Sequence, residues 1–159
     1  MTRINTIKPS DILDQHLIAE WRELPRIPNS ILSGKAKLDL KIIPDQYKLG
    51  QNHVRFFYNK LSYLQKRHTM ICEEMDRRSI NRDKSITVDL TSLNLVLKAC
   101  LCNDWQPTSR DHNINIERLQ ERFDLRKRAY HLTTPQGKQV INCEHSFNEY
   151  LRKHLEKYM

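Results

Sequence analysis

Apolar and polar positions near the start of the chain recur with the period of an α-helix. Ser10, just after Pro9, suits an N-cap, and Leu13, Leu17, Trp21 and Leu24 follow at spacings of four, four and three, which lines one helical stripe with apolar side chains. At about 100° per residue, Gln15, Ala19, Arg22 and Glu23 fall on the other side. Arg26 joins them if the helix continues through Pro25 with a kink. The pattern predicts a helix with one core face and one charged face.

Residues 25–49 contain Pro25, Pro28, Pro44 and Gly34, show no sustained period, and read as a connection. Beyond Gly50 and a capping Asn52, the positions Val54, Phe57, Leu61, Leu64, His68, Ile71 and Met75 alternate three and four apart. This predicts a central core helix, with His68 as a hydrogen-bonded core residue rather than a ligand. From Ile80 to Pro107 the pattern fits a strand, a short helix or a mixture, with the short helix preferred. Asp111 or Asn113 can cap a further helix that turns Ile116, Leu119, Phe123 and Tyr130 inward. Arg118, Arg122 and Arg126 then form a stripe at four-residue spacing. After a turn at Pro135 and Gly137, the positions Phe147, Tyr150, Leu151, His154, Leu155 and Tyr158 suggest a terminal amphipathic helix. The expectation is an all-α fold, a single compact domain of about three main helices with connecting loops and a C-terminal helix. Residues 2–132 form the helical domain and 133–159 an extension docked on it.

Charge narrows the class of partner. Lys and Arg total 27 against 19 Asp and Glu, a formal charge of +8, so polyanions are natural partners, although such a charge also serves solubility alone. Three arginines in a row repel one another unless an anion relieves them, which favours phosphate contact for Arg118, Arg122 and Arg126 over a merely solvated face. Cys72, Cys100, Cys102 and Cys143 show no disulfide framework and no C-x-x-C pair, which fits a reducing interior. No apolar run approaches the roughly 18 residues of a membrane span, and the first residues lack the apolar stretch of a signal peptide. A cytoplasmic or, in a eukaryotic host, nuclear monomer is expected, without metal or cofactor. Loss of Met1 would leave Thr2 with a free α-amine.

The opening TRIN, followed by DQHLIAEWRELPR, resembles the N-terminus of the phage-type pyrimidine-dimer DNA glycosylases. The likeness continues in KIIPDQYKLGQNHVRFFYNKLSYLQKR and more weakly in IERLQER, covering most of residues 2–130. It implies an all-helical domain that kinks duplex DNA at a pyrimidine dimer and extrudes the adenine opposite the lesion. It also implies that Thr2 is an N-terminal nucleophile and Glu23 an essential carboxylate. Arg3, Arg22, Arg26, Arg118 and Arg122 would contact phosphates or lesion, and Gln15 would read near the dimer. The family's C-terminal aromatic cluster has no good counterpart, since after IERLQERFDLRKRAY the chain offers only Tyr130.

The implied chemistry is physically sound. A terminal α-amine has a reference pKa of about 7.7 to 8.0 against about 10.4 for lysine, so it alone has a substantial neutral fraction near pH 7. Neighbouring arginines disfavour a further positive charge and enlarge that fraction. The reading is a bifunctional DNA N-glycosylase and abasic-site lyase acting on double-stranded DNA that carries a damaged base or abasic site. The alternative is a nucleic-acid-binding protein of the same architecture without that chemistry or with another target.

Overall fold

Leu13, Leu17, Trp21 and Leu24 are buried along helix α1 (Asp14–Glu23) in a computed structural model that describes residues 4–124 and 128–159. Leu24 and Pro25 both keep right-handed helical dihedrals, so the chain passes from α1 directly into α2 (Arg26–Leu32). The start of the expected connection is therefore helical. Pro28 sits within the first turn of α2, where backbone N–H groups have no intrahelical partner to lose. Gly34, at φ +72°, then stops the helix.

The expected central helix is present but divided. Helix α3 covers His53–Phe56 and α4 covers Leu61–Arg77. Between them Lys60 leaves helical dihedrals and forms an isolated bridge with Cys102. The apolar period survives the break because Phe56 and Phe57 are both buried, packed edge to face with a ring separation of 5.0 Å. His68 is buried on α4, as its place in the stripe suggests.

Within 80–107 a short helix, α5 (Leu95–Leu101), is capped by Asn94, whose side chain accepts from the Leu97 N–H at 2.9 Å. The next helix, α6 (Ser109–Glu121), is capped by Thr108 rather than by Asp111 or Asn113. Asp111 instead completes a reciprocal capping box.

The all-α expectation fails after α6. Strands β1 (Tyr130–Thr134) and β2 (Gly137–Ile141) pair antiparallel as a hairpin around Pro135 and Gln136. Tyr130 and Leu132 point inward with strand period, whereas its seven-residue spacing from Phe123 suggested a helix for Tyr130. Five-residue strands leave too few alternations to outweigh that coincidence. Side-chain hydrogen bonds also favour the hairpin: Asp14 accepts from the Thr133 N–H and hydroxyl at 3.1 and 2.8 Å. The same carboxylate receives the buried Arg78 guanidinium at the end of α4. Helix α7 (Glu144–Tyr150) continues through a wider turn (Leu151–Leu155) to a final 3-10 turn (Glu156–Tyr158). Among the described residues no helix is long and apolar enough to cross a membrane.

The N-terminal segment lies inside the protein. Ile4, Asn5, Thr6 and Ile7 are all buried, yet among the described residues they pair with no strand, so their backbone groups must find side-chain partners. The Ile4 N–H donates to His53 Nε2 at 2.9 Å and its carbonyl accepts from the Tyr47 hydroxyl at 3.0 Å. The Asn5 N–H donates to Glu20 at 3.0 Å and the Thr6 N–H to Asn115 at 2.9 Å. The Ile7 carbonyl accepts from Arg67 at 2.6 Å.

The C-terminal turns grip the chain just beyond. Asp11 accepts from His154, Tyr158 and Lys157 at 3.0, 2.6 and 2.9 Å. Burial alone would push the Asp11 carboxyl up, but those three partners override it and hold the group at about 2. A depressed carboxyl pKa stabilises the fold above the unfolded value and is lost as pH falls through the folded one. Asp11→Asn is therefore expected to lower stability by about 2 kcal/mol at pH 7, with the gap to wild type closing between about pH 4 and pH 2, read by urea unfolding across that range.

His53 behaves oppositely. Burial lowers its pKa to about 4, with Arg118 adding to the effect and the Lys48 carbonyl opposing it. Its Nε2 must stay unprotonated to accept the Ile4 N–H, while Nδ1 donates to the Lys48 carbonyl. Between about pH 6.5 and pH 4 the unfolded chain binds a proton here that the folded chain refuses, so stability declines as the medium is acidified. His53→Leu should remove this contribution to the slope, and at pH 7 it should lose about 1–3 kcal/mol by orphaning the buried Ile4 N–H. Unfolding free energies at several pH values check both.

Candidate active site

Helix α1 carries two carboxylates three residues apart with different surroundings. Glu20 is buried and fully engaged: it accepts from Arg67 Nε and a terminal guanidinium nitrogen at 2.9 and 3.0 Å, and from the Asn5 N–H and side-chain amide at 3.0 and 2.7 Å. Glu23, one turn on, is only partly covered. One of its oxygens, Oε2, is buried without any hydrogen-bond partner among the described residues. A carboxylate oxygen shielded from water and left unpaired is costly to the fold, and such exceptions invite a functional reading.

Beside Glu20 lie His16, Ala19, Asn5, Arg118 and Arg122, which with Glu20 and Leu119 line a cavity of about 20 Å³. That is room for about one water. His16 is held to about 4, first by burial and then by the charge of Arg128, so it is neutral at pH 7. Its ring meets Tyr130 of β1 edge to face at 5.5 Å. His16, Glu20 and Glu23 follow one another four and three residues apart, the spacing of a single helical face. That polar stripe was present in the sequence, but it lay beside the apolar one and a single turn of helix separates core from surface.

The arginines divide into two groups. Arg22 and Arg26 are exposed one turn apart across the α1–α2 junction, and Arg122 is exposed at the end of α6. Arg118, expected on the same solvent stripe as Arg122, is instead buried. Burial lowers its pKa, opposed by Tyr47, Glu23 and Glu121, so its charge lies within electrostatic reach of the unpaired carboxylate. Gln15 faces the hairpin: its amide meets the Ala129 carbonyl and His131 Nδ1 at 3.2 and 2.9 Å, and its oxygen accepts from the His131 N–H at 3.1 Å. Thr2, Arg3 and Arg126 lie outside the described residues.

The structure thus brings Arg118 and Arg122 to one small cavity, with Glu23 within electrostatic reach of Arg118 and with Arg22 and Arg26 exposed across the α1–α2 junction. It adds His16, Glu20, Asn5 and Arg67, none of which the spacing arguments singled out. All four are polar residues within the quoted motif blocks that spacing alone treats as neutral, and Arg67 sits between Leu64, His68 and Ile71 on the buried side of α4.

A family model described as pyrimidine dimer DNA glycosylase matches residues 1–88 of the 159. The matched span holds the buried N-terminal segment, all of α1 with Glu20 and Glu23, the exposed Arg22 and Arg26, and the Arg67 that pairs with Glu20. It ends before α6 and the hairpin. Because this match takes in more than half of the chain and the whole carboxylate-bearing face, the protein belongs to the pyrimidine dimer DNA glycosylase family.

Proposed function

We propose that the protein is a DNA repair glycosylase with an associated abasic-site β-lyase activity, acting through the terminal amine of Thr2 on cyclobutane pyrimidine dimers in duplex DNA. The observation that carries this reading is the pairing of a buried, unpartnered Glu23 oxygen with an N-terminal segment clamped into the core from Ile4 onward. Chain termini of most domains are loosely held unless something ties them down. Here five side chains tie this one down, and two residues of lead give a terminal amine a reach of only about 7 Å from Ile4. Such tethering supplies the positioning that a nucleophile needs.

In the proposed reaction the neutral amine forms a bond to C1′ of the 5′ deoxyribose of the dimer while the glycosidic bond breaks, the electron pair leaving with the base. Ring opening gives an imine, which acidifies the C2′ proton. Loss of that proton expels the 3′ phosphate and nicks the strand. Glu23 stabilises the positive charge that develops on the sugar and carries protons during ring opening and elimination. Arg118 acts from beneath the cleft on the same charge balance, and Arg22, Arg26 and Arg122 hold phosphates from its rim.

Glu23→Gln keeps the packing and removes the charge, so turnover on dimer-containing duplex is expected to fall by at least about a hundredfold with lesion affinity nearly unchanged. Full turnover in that variant would take Glu23 out of the mechanism. The amine is tested separately by adding one residue ahead of Thr2 or acetylating it, each assayed by borohydride trapping on dimer-containing and abasic duplexes. Trapping and nicking should disappear while binding survives. Normal trapping from a blocked terminus would assign the imine to a lysine such as Lys60 or Lys127.

A further inference from the structure

Between α2 and α3 the chain carries a run that the cleft does not use. Residues Lys35 to Ile43 read KAKLDLKII, alternating cations with apolar side chains. Leu38, Leu40 and Ile42 are 38%, 51% and 50% exposed, and Lys35, Lys37 and Lys41 are exposed beside them. Among the described residues no ion pair engages these lysines. The one acid among them, Asp39, accepts from the Lys41 N–H at 2.9 Å and caps the single turn Leu40–Ile42.

The segment is held at both ends. At its start the Ala36 N–H donates to the Ser30 carbonyl of α2 at 2.9 Å. Beyond its end the buried Tyr47 anchors the chain and donates to the carbonyl of Ile4. The run therefore leaves from the helix that begins with Arg26 and returns to the N-terminal segment beside the cleft. The seven residues of α2 span about 10 Å, a distance along which one strand of a duplex presents roughly three phosphates. Arg22, Arg26, Lys35, Lys37 and Lys41 thus supply cations on both sides of that span.

Half-exposed leucine and isoleucine side chains among lysines suit an occupant that is anionic outside and apolar where its bases are unstacked. Proteins that kink DNA press apolar side chains against opened base steps while cations hold the flanking phosphates. We propose that Lys35–Ile43 is a second DNA-contacting arm, in which the lysines extend the phosphate track begun by Arg22 and Arg26, and Leu40 and Ile42 press on the unstacked bases beside the lesion. This rests on the reading of damaged duplex DNA as the substrate.

The test uses the full chain and two duplexes of one sequence, one intact and one with a single tetrahydrofuran abasic analogue, titrated across a salt series. Lys37→Gln with Lys41→Gln should make the slope of log affinity against log salt shallower by about two units on both duplexes. Leu40→Ser with Ile42→Ser should leave the slope unchanged and reduce the preference for the abasic duplex by about tenfold. Lys153→Gln, whose lysine pairs with Glu149 on the tail, should alter neither. All these side chains are exposed or half-exposed, and circular dichroism confirms that each variant is folded. If wild type cleaves dimer-containing DNA while both arm variants keep its slope and preference, the arm is no DNA contact and the proposal is overturned, leaving the enzymatic reading intact. If wild type neither cleaves nor distinguishes the duplexes, the enzymatic reading fails and takes the arm with it.

Discussion

The buried ion pair between Glu20 and Arg67 is the contact on which the rest of this structure depends. Removing two charges from water is expensive, and the attraction between them compensates only when their remaining hydrogen-bonding capacity is also met. Here it is met by the N-terminal segment: Glu20 takes both amide donors of Asn5, and Arg67 gives a further bond to the Ile7 carbonyl. The pair and the segment are therefore each other's solvation. A lone extended strand could not otherwise remain buried, since it has no neighbouring strand to satisfy its backbone.

Two more acids repeat the device at the edges of the core. Asp14 gathers the end of α4 through Arg78 and the hairpin through Thr133. Asp11 gathers the C-terminal turns through His154, Lys157 and Tyr158. Each carboxylate sits near the N-terminal end of the chain and draws in an element from far along it. Arg22, Arg26, Arg122 and the lysines after α2 are exposed. Asp11, Asp14 and Glu20 are used internally, while these cations face whatever approaches.

Glu23 departs from this economy. It occupies the same helix face as His16 and Glu20 but has a buried oxygen with no partner, whereas every oxygen of Glu20 is engaged. The fold satisfies Asp11, Asp14 and Glu20 and leaves this oxygen open among the described residues, which is the feature that supports the proposed role of Glu23 toward a developing cation. Burial disfavours the charged form of both the nearby Arg118 and His16, and His16 is neutral at pH 7.

The amphipathic face of α1, the buried stripe of α4 and the inward Ile116 and Leu119 of α6 were all legible in one dimension, because a helical period repeats within a dozen residues and depends on neighbours in the chain. So was the family, since Arg22, Glu23 and Arg26 sit in a contiguous motif block inside the span that matches the glycosylase model. The hairpin at 130–141 was not legible, since its strands are short and its anchor, the Asp14 carboxylate, lies over a hundred residues away. Nor was the division of the arginines, for the same four-residue spacing leaves Arg122 in solvent and turns Arg118 into the core. The sequence by itself determined which residues could be helical, which face would be apolar and what family chemistry was on offer. Only the tertiary structure decided which charges are buried and paired, because that depends on donors and acceptors brought together from opposite ends of the chain.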